Sequence, residues 1–306
     1  MALAALAVLL ATAGTVRAAE GLGFSLQFAD EVSNLPLISH AMMPGEVLQV
    51  EAILAADGAR FAATADAGDV TAAGPGHWRW RVPDEPGLYC LTVTAQPSGE
   101  QTCLQAMVMH PYDGQPVFNG YRIGRYPRTA LRGDPAYARP RGLIEVTEAN
   151  QDTPVSPHFT LGQFACKQDG GWPKYLLLDT TLLLKLELLR EQIGANGHEQ
   201  ARLAVLSGYR TPHYNASIGN RTKYSRHAYG DAADIYVDVD GDGYMDDLNG
   251  DGSRSVADAR LLYDLVERLT QQSWFQPFIG GLGLYGPKPH RGPFIHVDTR
   301  GTKVRW

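Results

Sequence analysis

Residues of a kind that holds divalent cations stand in two short stretches far apart in the chain. One is Ser225-Arg226-His227-Ala228-Tyr229-Gly230-Asp231-Ala232-Ala233-Asp234; the other is Phe294-Ile295-His296-Val297-Asp298. Two imidazoles and one carboxylate form a catalytic zinc set in which water takes the fourth position. His227 and Asp234 are seven residues apart, which does not suit neighbouring turns of one helix. The spacing suits a loop histidine followed by a strand that brings the carboxylate back. Gly230 allows the turn, and the small Ala232 and Ala233 allow close packing. His296 and Asp298 are two apart in a segment read as a strand, so both point to one face. From there Asp298 can orient or tune the site beside His296.

A second run of ligand-type residues spans Asp238 to Asp258 (DVDGDGYMDDLNGDGSRSVAD) and carries seven acidic side chains. Asp238, Asp240 and Asp242 fall at positions 1, 3 and 5 of a calcium-type loop, with Gly243 at position 6. Asp247, Asn249 and Asp251 repeat the pattern, with Gly252 at 6 and Asp258 at 12. Oxygen ligands at such positions wrap calcium, and the glycine supplies the sharp turn. The two loops overlap at Asp247 to Asn249, so the expectation is one or two ions with shared ligands. Calcium would order the segment and support the sheet beside it.

The elements that must position these groups can be read from periodicity. From about residue 22 to 110, short alternating runs (Phe24 to Phe28, Val47 to Ala52, Leu91 to Thr94) are separated by turn residues such as Pro44-Gly45 and Glu85-Pro86-Gly87. This is the pattern of an all-β, immunoglobulin-like sandwich. Trp78 and Trp80 share a strand face and are expected in its core. Residues 111–155, rich in Gly, Pro, Tyr and Arg, read as an ordered connector. From residue 156 to 306 the pattern is α+β: helices over Asp179 to Ile193 and Val256 to Leu269, and strands over Leu203 to Ser207, Ala232 to Val239 and Phe294 to Thr299. The acidic run at 238–258 is an insertion in this second domain, whose sheet is expected to be small and antiparallel.

Composition narrows the class. The chain has 306 residues and a net charge of −6, with 27 Lys+Arg against 33 Asp+Glu, which argues against a nucleic-acid binder. The apolar segment Ala2 to Gly14, followed by small residues around Ala18, reads as a signal peptide over residues 1–19. No later stretch is long and apolar enough to span a membrane. A periplasmic or secreted protein is therefore expected. Export permits disulfides; Cys90 and Cys103 flank a turn and could face each other across a hairpin, leaving Cys166 as a buried thiol.

The motif S-x-H-x-x-G-x-A-x-D, followed far downstream by H-x-D on a strand, resembles the zinc D-Ala-D-Ala peptidases of cell-wall metabolism. That superfamily includes murein endopeptidases and, more remotely, the hedgehog amino-terminal domain. The segment His296-Val297-Asp298-Thr299-Arg300-Gly301-Thr302-Lys303-Val304-Arg305-Trp306 is similar to the murein endopeptidase branch. The resemblance covers about residues 156 to 306. It implies zinc ligands His227, Asp234 and His296, a structural Ser225, and an Arg210 (in Ser207-Gly208-Tyr209-Arg210) that contacts substrate or stabilises developing negative charge. The reaction it implies is metal-assisted hydrolysis of peptidoglycan stem peptides or cross-links, by a D,D- or L,D-type endopeptidase or carboxypeptidase. Several members place an acidic general base three residues before the last histidine. Pro293 stands there in this chain, so Asp298 and His290 become the candidate bases. The acidic run in turn resembles dockerin and thrombospondin-type calcium repeats. The alternative is a non-catalytic, zinc- and calcium-bearing module that binds the cell wall.

Overall fold

The computed structural model describes residues 21–53, 58–196, 202–220 and 222–306. The expected signal peptide lies outside the described residues. The chain is rich in strands and has few helices. Nine strands come first: β1 (Ser25–Phe28), β2 (Glu31–Ser33), β3 (Leu37–Met42), β4 (Val47–Ile53), β5 (Arg60–Ala65), β6 (Asp69–Gly74), β7 (His77–Arg81), β8 (Gly87–Gln96) and β9 (Gln101–Val108). They make two sheets, ordered β2-β1-β4-β7-β6 and β3-β9-β8-β5. All neighbours are antiparallel except β3 and β9. Alternation drives the arrangement. In β7, Trp78 and Trp80 are buried while His77, Arg79 and Arg81 face out. Leu26, Phe28, Val50 and Trp80 of one sheet and Ile38, Leu91, Val93 and Leu104 of the other belong to one apolar core. A disulfide joins Cys90 to Cys103 across β8 and β9, and Cys166 is a free, buried thiol.

The segment after β9 has more structure than its irregular sequence suggests. It contains β10 (His110–Pro111), a small hairpin of β11 (Val117–Phe118) and β12 (Tyr121–Arg122), and β13 (Gly142–Val146). Next come β14 (Pro154–Ser156), β15 (Phe159–Thr160) and β16 (Lys174–Leu176), with β13 between β10 and β16 in a three-stranded sheet. Its tyrosines are structural. Tyr112, Tyr121, Tyr126 and Tyr175 pack in a second apolar cluster that includes Ala228, the residue after His227.

Helix α1 (Thr180–Ala195) starts where Asp179 accepts from the backbone N–H of Leu182, a good cap for the first turn. It is buried on nearly every side. Leu182, Leu183, Leu186 and Leu189 join the main core, and Thr180 Oγ1 donates to the Ser39 carbonyl of β3 at 3.0 Å. The helix thus links the early sheets to the later one. That later sheet has the order β17-β18-β20-β19-β21: β17 (Leu203–Ser207), β18 (Ala232–Val237), β19 (Gly281–Tyr285), β20 (Phe294–Asp298) and β21 (Val304–Arg305). It is antiparallel apart from the short β19–β21 pair. A one-and-a-half-turn helix α2 (Pro212–Ser217) follows β17. Helix α3 (Val256–Leu269) packs its Leu262, Val266 and Leu269 stripe into the core. No helix among the described residues is long and apolar enough to cross a membrane.

Candidate metal centre

Strand register builds the site. Ser207 of β17 pairs with Asp234 of β18, Asp234 with His296 of β20, and His296 with Gly283 of β19. Four neighbouring strands therefore present one straight row across the sheet. His227 arrives from a different kind of element. It sits in a 3-10 turn (Arg226–Tyr229) that Gly230 ends with φ +80. A Cβ at Gly230 would stand 2.5 Å from the Leu177 carbonyl carbon, so both the turn and the close approach require glycine. The Ser225 carbonyl closes the turn by accepting from Ala228 N–H. Ala232 and Ala233, both buried, then start β18.

His227, Asp234 and His296 are all buried and form a group that could hold a metal ion. His227 Nε2 lies 3.1 Å from His296 Nδ1 and 3.3 Å from Asp234 Oδ1, and His296 Nδ1 lies 3.1 Å from that same oxygen. Tetrahedral ligands about 2.0–2.1 Å from an ion are separated by about 3.3–3.4 Å, so the triangle has the right size for a small divalent cation. The far nitrogen of each ring is also committed. His227 Nδ1 faces the Gly208 carbonyl at 2.7 Å, and His296 Nε2 faces Asp298 Oδ2 at 3.0 Å. These contacts put a proton on the outer nitrogen and turn a lone pair inward, which is how outer partners prepare imidazoles for metal.

The electrostatics agree. Burial alone would raise the Asp234 carboxyl, but His227, His296 and Arg210 outweigh it and hold it well below the usual range. Burial also works against a charged His296; there Asp234 and Asp298 win and push the imidazole up. His227 is pushed down, mainly by burial, against the pull of Asp234. Arg210 donates through Nη2 to Asp234 Oδ2 and through Nε to Ser207 Oγ at 2.8 Å. It borders the triad, but part of its guanidinium is spent on a triad carboxylate.

The two candidate bases differ in their relation to the triad. Asp298 is fully buried behind His296, where it accepts from Gly281 N–H at 2.7 Å and from the Arg300 guanidinium as well as the imidazole. Arg300 and His296 hold its carboxyl far below the ordinary range against the effect of burial. This is a positioning geometry: the carboxylate meets the ring at the nitrogen remote from Asp234. His290 is exposed in the turn closed by the Lys288–Arg291 bridge, with no hydrogen bond to the triad among the described residues. Two cations that the sequence did not single out lie within electrostatic reach of Asp234. Lys167 is pushed down by burial and by Arg210, and Arg291 is pushed down by burial, in both cases against the pull of Asp234.

The acidic insertion folds as two successive loops. In the first, Asp238 accepts from the N–H groups of Gly241 and Gly243, and Asp242 from that of Tyr244. Asp238, Asp240 and Asp246 bring carboxylate oxygens within 4.8 Å of one another. Asp246, which the loop template does not include, thus joins two of the expected ligands, while Asp242 pairs with Arg254. Arg254 also reaches Asp240 at 3.0 Å. In the second loop, Asp247 gathers the N–H groups of Gly250, Asp251 and Gly252, while Asn249 accepts from Asp251. Asp258 is fully buried. Its oxygens accept from Leu248, Asn249 and Ser255, so it caps α3 while tethering the loop.

No family model matches the chain, and no curated protein or solved structure matches it.

Proposed function

We propose that the protein is an exported zinc metallopeptidase that hydrolyses peptide bonds in peptidoglycan stem peptides or cross-links. On this reading residues 156–306 form the zinc D-Ala-D-Ala peptidase-type domain, and the two amino-terminal sheets are an immunoglobulin-like sandwich that accompanies it. One observation carries the proposal. Three buried donors from a turn and two strands converge to within 3.3 Å, each imidazole oriented from behind by an oxygen. Two nitrogens and one oxygen are the donor set of catalytic zinc sites, which leave a fourth position for water or substrate. Zinc bound there would supply Lewis-acid polarisation of a carbonyl and acidify water.

The chain's own residues do the rest. Gly208 and Asp298 fix the two rings, and Arg210 holds the second oxygen of Asp234 so that the first faces the histidines. Arg210 also sets a cation beside the place where negative charge would develop on a carbonyl oxygen. Arg210 beside Asp234, and Lys167 and Arg291 within electrostatic reach of it, would add positive charge around a zinc bound there, which favours carboxylate-bearing cell-wall peptides. Calcium is the proposed occupant of the Asp238, Asp240 and Asp246 cluster, where it would brace β18 from its far end.

A second reading has its own support. With Pro293 upstream, Asp298 on the outer nitrogen of His296 and His290 in an exposed turn, neither candidate base bonds the inward-facing donor atoms among the described residues, as would suit a metal-bearing cell-wall binding module. Digesting purified sacculi separates the two. The peptidase reading expects soluble muropeptides, their loss on adding a zinc chelator, and recovery on restoring zinc. Binding to sacculi without any released fragment would overturn it.

A further inference from the structure

The cross-strand row that carries the triad ends at a residue with no side chain, and an indole fills the space. Ser207, Asp234 and His296 each project a polar group, whereas their neighbour in register is Gly283. A Cβ on Gly283 would stand 2.5 Å from Trp306 Nε1. The Trp306 ring therefore lies directly on the bare backbone of β19, beside the last ligand-type residue of the row. Its centroid is 5.0 Å from that of His296.

Trp306 is held firmly in this position. Its Nε1–H donates to Tyr285 Oη at 2.6 Å. Its backbone N–H donates to Leu282 O, and its carbonyl accepts from Leu284 N–H. Tyr285 in turn stacks on Phe294, with centroids 4.6 Å apart and planes inclined by 10°. Arg300 lies over the indole, its guanidinium carbon 5.8 Å from the ring centroid and its nitrogens occupied by Asp298. Despite these ties Trp306 remains 47% exposed. An immobilised, half-open indole next to a hydrolytic centre is an apolar wall whose ordering has no further entropic cost on binding.

We propose that Trp306 is a specificity-determining residue, packing against an apolar side chain of the substrate residue that flanks the bond to be cut. The assignment rests on the peptidase reading and adds to it a preference for alanine-type over glycine-type residues at that position. Lys167, Arg210 and Arg291 would hold the charged part of the peptide, and Trp306 would read the uncharged part.

The test is calorimetric binding of two acetylated tripeptides, ending in Lys-D-Ala-D-Ala and Lys-Gly-Gly, to the zinc-loaded full chain. Small apolar increments in a pocket give modest preferences, so wild type should favour the alanine peptide by about fivefold or more. Trp306→Ala should abolish that preference while zinc affinity, measured by chelator competition, stays within about twofold. Trp306→Phe should keep most of the preference. Gly283→Ala, which displaces the indole without removing it, should behave like Trp306→Ala. An unchanged preference in Trp306→Ala, or no binding of either peptide to wild type, would overturn the assignment. Failure of the peptidase reading would look different: normal binding and preference, with no hydrolysis of peptides or sacculi.

Discussion

Each side chain near the triad has a separable task. Asp298 acts through His296 Nε2, so Asp298→Asn should keep the fold, weaken zinc binding by about 10- to 100-fold, and lower activity in step at limiting zinc. Equilibrium dialysis against a metal buffer measures this; unchanged affinity would remove Asp298 from the positioning role. His290→Ala should leave hydrolysis within about twofold of wild type, because that ring is exposed and outside the triad's hydrogen bonds. A loss of a hundredfold or more would restore it as the base. The triad itself was legible from residue types and spacing, since imidazole and carboxylate chemistry is strongly restrictive. The roles of Asp298 and Arg210 were less so. Spacing shows that Asp298 shares a strand face with His296, but not that Gly281 and Arg300 also claim its carboxylate.

At the scale of elements, α1 carries a lysine where a leucine would be expected. Lys185 is almost fully buried beneath the site, donating to the Phe278 and Asp298 carbonyls. Burial, only partly offset by Asp298, brings its ammonium down to about 8. The folded chain thus gives up this proton more readily than the unfolded one, so between about pH 8 and the ordinary lysine range the unfolded state binds more protons. Stability then rises with pH across that window. Urea unfolding of wild type and Lys185→Met should diverge in favour of wild type over it, by roughly 2–3 kcal/mol at the top. A flat difference would contradict the assignment.

The acidic loops make a second prediction at this scale. Arg254 supplies an internal cation to Asp240 and Asp242. Calcium should raise the melting temperature, and Arg254→Ala should enlarge that shift by removing the competing charge. No calcium dependence in either protein would eliminate the ion. Sequence periodicity located α1, α3, β17, β18 and β20 closely, because each has a clear apolar stripe or run. It missed β19, whose Gly-Leu-Gly-Leu sequence has the composition of a loop. The reason is tertiary: the glycines make room for Asp298 and Trp306. The approach of Asp246 to Asp238 and Asp240 was equally hidden, since position 9 of the first loop is not among the acidic template positions used and the pairing of Arg254 with these carboxylates leaves no spacing signal.

For the whole molecule, the sequence divides into an early β half and a later α+β half, with the motif residues all in the latter. The structure adds a shared interior. Buried residues of the first two sheets, of α1 and of the later sheet form one continuous apolar core. Thr180 Oγ1 also bonds Ser39 O and stands 2.9 Å from His40 Nδ1 across that junction. Calorimetry should therefore show a single unfolding transition, and Thr180→Val should destabilise that one transition by about 1–3 kcal/mol through its orphaned polar partners. Two separate transitions, with the variant affecting only one, would contradict a common core. This junction was not legible in advance, because contacts some 140 residues apart leave no local pattern, and the connector's scattered tyrosines have no period to reveal their cluster.

Every catalytic role assigned above requires His227, Asp234 and His296 to close around one ion. Anomalous diffraction at the zinc edge, on crystals grown with stoichiometric zinc, tests this most directly. The expected result is a single strong peak about 2.0–2.2 Å from His227 Nε2, His296 Nδ1 and an Asp234 oxygen, with a further position open to solvent. Zinc bound elsewhere, or no peak between these three side chains, would rule out a metal centre at this triad.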